Sequence, residues 1–239
     1  MKNNPTTPRG SAQGHDISIN LLKANDFVAD GIRKQMSTKN ILLINLVSSP
    51  GSGKTALLEA TVQRLKDQLN MAVLVGDLET ERDADRIKKH GIPALQIVTG
   101  GICHLEAQMI HQVLDQQGIP LDNLDVLFIE NVGNLVCPSS FDLGEDIRVT
   151  LIAVTEGDDK PKKYPKMFLT SDMMMVTKVD LLPYVPFSVD AVTKDAREVN
   201  HEIEVMTASS LKGEGMDAWC EYLLQKVKEK KAETAVTAH

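Results

Sequence analysis

From residue 40 onwards the chain alternates short, uninterrupted apolar runs with longer stretches whose apolar residues return every three or four positions. The runs are "ILLINLV", "MAVLVGD", "ALQIV", "LDVLFIE", "VTLIAVTE", "MMMVTKVD" and "IEVMTAS"; the helical stretches include "TALLEATVQRLKDQL", "ERDADRIKKH", "HLEAQMIHQVLDQ" and "MDAWCEYLLQKV". A strand with one wet face alternates apolar and polar residues, and these runs do not. They predict parallel strands covered on both faces, hence an α/β fold: a doubly wound, mostly parallel sheet with helices on each side. Ahead of it, Ile17, Leu21, Leu22, Phe27, Val28 and Ile32 recur at roughly helical spacing. That spacing predicts an N-terminal helical arm over residues 16–38, able to cover the domain edge or a partner. Residues 1–15, rich in Pro, Asn, Thr and Gly, and residues 231–239 are expected to be disordered, which leaves 39–230 as the main domain.

Composition narrows this picture. At 239 residues the chain can bury one large core, not two full enzyme domains. A formal net charge of −7 argues against wrapping nucleic acid or coating an anionic membrane, since both need clustered positive potential. The basic "VKEKK" near the C-terminus is short and reads as a solvated helix end. No run approaches the roughly 20 apolar residues of a membrane span, and the first residues carry no apolar core of signal-peptide length, so a cytoplasmic protein is expected. Three cysteines, Cys103, Cys137 and Cys220, make a disulfide framework improbable in that compartment.

The chemistry begins at "SSPGSGKT", residues 48–55, set between a predicted strand and a predicted helix. This is the order a P-loop requires. Gly51 and Gly53 permit backbone angles that turn successive N–H groups inward, and the following helix aims its positive end at the same phosphates. Lys54 should bridge the β and γ phosphates and Thr55 should ligate Mg²⁺, with Ser52 and Ala56 completing the nucleotide contacts. Ser48 stands where the general pattern has its leading glycine.

Asp77 ends "MAVLVGD" and Glu130 ends "LDVLFIE", so both carboxylates should emerge at the carboxyl edge of the sheet beside the phosphate loop. They are read as organisers of Mg²⁺ and water; the competing reading is that strand-end acids cap the next turn. Asp83 and Asp85 are weaker candidates, as acids of a helix first turn. In "MMMVTKVD", Lys178 and Asp180 follow a late strand. A carboxylate there can accept from guanine N1–H and its 2-amino group, while adenine would leave it unpaired, which favours guanine. The G-protein pattern N-K-x-D has Asn where this chain has Thr177. One strand later, Ser209, Ser210 and Leu211 stand where a backbone N–H would meet guanine O6.

Cys103 and His104 are adjacent before a predicted helix, and Cys137 lies seven residues past Glu130, on the loop a γ-phosphate would organise. Thiolates and an imidazole suit Ni²⁺ or Zn²⁺. The residues alone leave two readings open, a metal site or a helix-capping histidine with two buried cysteines. As a metal site, three ligands leave a shell incomplete, which two chains about a two-fold axis would repair. Cys220 falls on an apolar helix face and reads as core, as does the run Met173 to Met175; His111 reads as a surface residue and His90 as a helix end.

Taken in order, "SSPGSGKT", "GDLETERDADR", "CHLEA", "IENVGNLVCPSSFDLGE", "TEGDDKPKKYP" and "TKVDLLPY" resemble the hydrogenase nickel-incorporation GTPase family, HypB, over about residues 40–225. The resemblance implies a SIMIBI-like P-loop NTPase domain, related to the signal-recognition and urease-accessory GTPases. It implies a homodimerising, GTP-hydrolysing metallochaperone that helps deliver Ni²⁺ to a [NiFe]-hydrogenase large-subunit precursor with a small zinc-containing partner, HypA. Carried over residue by residue, it assigns phosphate binding to Gly51, Gly53, Lys54 and Thr55, magnesium to Asp77 and Glu130, guanine to Lys178 and Asp180, and the transition metal to Cys103, His104 and Cys137. Lys160 to Lys163 resemble a segment that reaches across the dimer to the other nucleotide.

The chain departs from the family in two places. Its N-terminus has no cysteine cluster or histidine-rich tract, only His15, so no second high-affinity nickel site is expected. Thr177 in place of Asn affects one contact that orders the base-binding loop. No residue in the sequence stands out as an arginine finger, which predicts slow turnover, about 10³ to 10⁵ below an activated GTPase. Glu130 and Cys137 can be no more than about 23 Å apart even in extended chain, so nucleotide state and metal affinity are expected to be coupled. The alternatives are a urease-accessory-like nickel GTPase, whose metal motif resembles Cys-Pro-His, and a nickel store stabilised by GTP without hydrolysis.

Overall fold

The computed structural model describes residues 11–77 and 82–237. Strands β1 (Leu42–Ser48), β2 (Met71–Asp77), β3 (Ala94–Val98), β4 (Val126–Glu130), β5 (Ile147–Ala153), β6 (Met173–Thr177) and β7 (Glu204–Ala208) form one sheet in the order β3-β2-β4-β1-β5-β6-β7. Every pairing is parallel. The doubly wound α/β sheet expected from the apolar runs is the fold observed. Helices α1 (Ser11–Thr38), α2 (Lys54–Leu65), α3 (Arg82–Lys88), α4 (Ala107–Asp115), α5 (Lys160–Lys163), α6 (Pro165–Leu169), α7 (Val189–Val199) and α8 (Met216–Thr237) connect and cover the strands.

The side-chain period of two explains why the central runs carry no polar alternation. Leu42, Ile44 and Leu46 of β1 join a core with Leu57, Leu58, Trp219 and Leu223 of α2 and α8. Leu43 points the other way, into a second core with Ile32, Met36, Ile110 and Leu114 of α1 and α4. Both faces are dry, so β1 and β5 are buried at every position, while the outer strands β3 and β7 are only partly so. A third cluster packs Phe168, Val192 and Ala196 on Val47, Ile152, Met174 and Val176. Trp219 adds a specific tie, its indole N–H donating to Thr61 Oγ1 at 2.9 Å in the buried core.

Two boundaries differ from the sequence expectation. Helix α1 starts at Ser11 rather than near residue 16, and α8 runs to Thr237 where a structureless tail from 231 was expected. Residues 216–237 are rich in Lys, Glu, Ala and Leu, all good helix formers. The basic stretch in α8 is also not simply solvated: Lys230 is buried and donates to Ser37 Oγ and Asp146, and Lys231 pairs with Asp125. Of the N-terminal stretch, residues 1–10 lie outside the described residues. Among the described residues no helix is long and apolar enough to cross a membrane.

Helix α1 is less an arm than a layer of the domain. Arg33 Nη2 donates to both oxygens of the Asp142 carboxylate, at 2.7 and 2.8 Å. Beside it, Gly144 has φ +82°, and a Cβ there would lie 2.6 Å from the Ala29 carbonyl oxygen of α1. Gly144→Ala should therefore lower the unfolding free energy by about 1–3 kcal/mol, read as a reduced urea midpoint at unchanged slope.

Candidate functional site

The carboxyl ends of β1, β2 and β4 meet where the strand order reverses, and a cavity of about 430 Å³ opens there. That size suits a nucleotide-sized ligand. Its floor is the loop between β1 and α2, where Gly51 (φ 77°) and Gly53 (φ 97°) take left-handed conformations that other residues resist. Lys54 opens α2, is nearly buried, and donates from Nζ to Ser48 Oγ at 2.9 Å. The serine that replaces the leading glycine thus parks the lysine. Thr55 donates from Oγ1 to Glu130 Oε1 at 2.7 Å, and Glu130 Oε2 is buried with no hydrogen-bond partner.

Burial acts on both charges. It pulls the Lys54 ammonium below its ordinary pKa, against the pull of the Glu130, Asp83, Glu156 and Asp77 carboxylates. It pushes the Glu130 carboxyl up, opposed by Lys54 and by the Thr55 hydrogen bond. A phosphate chain would restore the lysine and a divalent cation the carboxylate. The orphaned Glu130 oxygen beside the Thr55 hydroxyl fits the hard-oxygen donor set of Mg²⁺. Asp77, at the end of β2, lines the same cavity.

On the base side, Thr177 contacts the phosphate loop. Its hydroxyl donates to the Ser52 carbonyl at 2.6 Å, tying the end of β6 to the phosphate loop. Lys178 lies over the loop with Nζ 2.7 Å from Gly51 O. Asp180 accepts from Ser209 Oγ at 2.6 Å, and Ser209 Oγ in turn accepts from Lys212 N, so two loops converge on one carboxylate. Ser210 is half-buried, and the Leu211 side chain is 81% exposed. A tether not anticipated from sequence is Glu156, whose carboxylate accepts from Ser52 Oγ and from Ala153 N.

Cys103, His104 and Cys137 come together: their ligand atoms lie within 4.8 Å of one another. Cys103 Sγ is 2.8 Å from Cys137 Sγ and 3.9 Å from His104 Nδ1, and both thiols are free and half-buried. His104 stacks on Phe141 at 4.0 Å between centroids. Its Nε2 is buried without a hydrogen bond, the nearest carboxylate being Glu106 at 3.5 Å. Burial lowers the imidazole pKa, favouring the neutral ring that can ligate, with Glu106 pulling the other way. The Cys137 thiol is raised, first by its contact with Cys103 and then by burial. Soft donors this close fit a thiophilic cation.

The cluster is stitched to the nucleotide cavity. Asn131, which lines that cavity, accepts from Leu105 N at 3.2 Å, the residue after His104. Asn134 donates to the Cys103 carbonyl at 3.2 Å. Gly76, next to Asp77, has room only for hydrogen: a Cβ would sit 2.7 Å from the Leu105 side chain. Asn25 of α1 closes the circuit, accepting from Ala107 N and donating to Asp142 O.

The remaining candidates lie apart. Cys220 is buried in the α8 core, and Met173, Met174 and Met175 are wholly buried in β6. His90 pairs with Glu59 at 3.6 Å, away from the thiols. Asp83 and Asp85 do fall in the first turn of α3, but Asp83 also lines the cavity together with Arg86, which the sequence reading passed over.

A glycine-rich loop feeding a helix at the switch point of a parallel sheet, with a thiol–imidazole cluster on a loop hydrogen-bonded to the cavity wall, defines a P-loop nucleotide-binding protein carrying a soft-ligand site. Residues 42–207 match the nucleotide-binding domain described as CobW/HypB/UreG. The hydrogenase maturation factor HypB of Escherichia coli K12 is 51% identical over 208 residues, which is 87% of this chain and 71% of that protein. The crystal structure of Helicobacter pylori HypB in complex with nickel superposes with a TM-score of 0.80 at 40% identity, covering 86% of this chain and 96% of that one. HypB from Archaeoglobus fulgidus superposes with a TM-score of 0.79 at 34% identity, covering 86% and 99%. The chain belongs to the HypB family of hydrogenase maturation factors.

If Thr177 orders the phosphate loop, Thr177→Val should weaken nucleotide binding by about fivefold to tenfold, as read by titration with a fluorescent GDP analogue, and lower stability by about 1–3 kcal/mol because the buried Ser52 carbonyl loses its donor.

Proposed function

We propose that this protein hydrolyses GTP and uses the nucleotide state to control a nickel ion, its cargo, held by Cys103, His104 and Cys137 and passed to a [NiFe]-hydrogenase large-subunit precursor. The observation that carries the reading is the direct hydrogen bonding of the thiol–imidazole loops to the wall of the nucleotide cavity, through Asn131 and Leu105. Reordering one end must move the other. The nickel present in the H. pylori relative supports the choice of metal.

In the proposed mechanism Gly51, Ser52, Gly53 and Ala56 place backbone N–H groups around the phosphates, and Lys54 leaves Ser48 to bridge the β and γ groups. Thr55, Glu130 and Asp77 would hold Mg²⁺, which when bound offsets charge on the transferred phosphoryl group. Asp77 or Glu130 orients the attacking water. Asp180 selects guanine by accepting two N–H donors, Lys178 lies along the base, and the Ser209–Leu211 turn meets the O6 edge.

Three donors fall one short of a four-coordinate shell, and Ile102 and Val136, beside the two thiols, are exposed with Val98. A second copy of the chain would cover those residues and complete the coordination, giving a homodimer favoured by GTP, by metal or by both. Lys160 to Lys163 then belong to a segment near the partner's nucleotide. The zinc-containing protein HypA is the proposed nickel donor or co-chaperone, and the setting is the cytoplasm.

Phosphate release from GTP separates this reading from a non-hydrolysing nickel store. Lys54→Ala should abolish it, and absence of release from the unsubstituted protein overturns the enzymatic reading. Asp180→Asn should shift preference from guanosine towards xanthosine triphosphate by roughly tenfold or more, since an amide donates where the carboxylate only accepts. Nickel titrations in GDP and in a non-hydrolysable GTP analogue should differ, and Cys137→Ala should erase the difference. Equal nickel affinity in both nucleotide states removes the coupling.

A further inference from the structure

Among the described residues lining the nucleotide cavity, three carry positive charge: Lys54, Lys178 and Arg86. Lys178 is engaged on the base side with Gly51 O, and Lys54 sits at the phosphate loop. Arg86 comes from α3, the helix that follows β2 and Asp77. Its side chain is 45% exposed, and its guanidinium is held by Glu59 Oε2 at 2.6 Å and Asp83 Oδ1 at 3.3 Å. Glu59 lies four residues beyond Thr55 on α2, hence on the same helix face and one turn away from the hydroxyl that meets Glu130. The arginine charge already reaches that point, since it opposes the upward shift of the Glu130 carboxyl.

The pairings of Arg86 are also of the kind a nucleotide would compete for. Glu59 is a partly exposed surface carboxylate, and a surface ion pair holds weakly. Asp83 lines the same cavity and is repelled by a polyanion placed there. A terminal phosphate offers the planar guanidinium a two-pronged acceptor of higher charge than either. We propose that Arg86 is an arginine finger supplied in cis: stored on Glu59 in the empty pocket, it turns onto the terminal phosphate when GTP binds and offsets the charge that develops there. The inference rests on the GTP-hydrolysing reading above and names a residue that reading did not use.

The test uses the full-length chain and three substitutions, Arg86→Ala, Arg86→Lys and Glu59→Gln, with two readouts: single-turnover phosphate release, and the ratio of affinities for GTPγS and GDP. Arg86→Ala should slow release by about tenfold or more and lower the affinity ratio, with GDP affinity changed less than about threefold. Arg86→Lys should recover part of the ratio, which depends on charge, but little of the rate, which depends on the fork. Glu59→Gln breaks the stored ion pair yet leaves the arginine, so release should stay at the unsubstituted rate or rise. Loss in Glu59→Gln equal to that in Arg86→Ala would mean that the pair merely pins α3 to α2, and it overturns the proposal. So does an Arg86→Ala protein that keeps both its rate and its ratio. If the unsubstituted protein releases no phosphate at all, the hydrolytic reading fails, while the affinity ratio still decides whether Arg86 meets the terminal phosphate.

Discussion

One buried amide joins the parts of this molecule that matter. Asn131, 1% exposed, follows directly on β4 and its Glu130. Its Oδ1 accepts from Leu105 N and from Val132 N, and its Nδ2 donates to Asn45 Oδ1 in the centre of the sheet. Its own N–H pairs with Leu46 O of β1. Both polar atoms of the side chain are used, in a place where an unused one would cost about 1–3 kcal/mol. Side chain and backbone together register β4 against β1, and the Cys103–His104 loop against both. The position of the thiol–imidazole cluster relative to the phosphate loop is therefore set by the sheet rather than by flexible chain.

Around that fixed point the charges sit out of balance. Lys54 and Glu130 are both withdrawn from water, each pushed towards its neutral form, and one Glu130 oxygen has no partner. The neighbouring cluster shows the same bias, with His104 lowered and Cys137 raised. A fold that only needed stability would do better with apolar residues at such positions. Groups held away from their charged or ligated forms gain most when the missing anion or cation arrives, so ligand binding here is also a tightening of the domain. Because the two sets share Asn131 and the Gly76–Leu105 contact, tightening one changes the conditions for the other.

The parts of this legible in sequence are those encoded locally. The apolar runs told the strands, and Gly51, Gly53 and Lys54 told the phosphate loop, because a nest and a helix start need only eight consecutive residues. Cys103, His104 and Cys137 could be named by type, but two readings stayed open because their convergence depends on β3, β4 and α4 packing correctly. Asn131, Asn134, Glu156 and Arg86 carried no signal of their own. An Asn after a strand is an ordinary turn residue, and Arg86 in "ERDADRIKKH" looks like any helix charge until α3 lies against α2. The helix ends failed for a related reason: Lys230 and Lys231 look solvated in one dimension, and only the fold brings Asp146 and Asp125 to them.

Thr177 shows how far a motif departure can be judged without coordinates. Asn and Thr differ in length and in the number of donors, so the sequence raises a doubt that chemistry alone cannot settle. The hydroxyl reaches the Ser52 carbonyl because Ser52 is drawn towards β5 and β6 by the Glu156 carboxylate on its other side. Glu156 and Thr177 are best regarded as one clamp on a single serine, the carboxylate holding the Ser52 hydroxyl and the Thr177 hydroxyl holding its carbonyl.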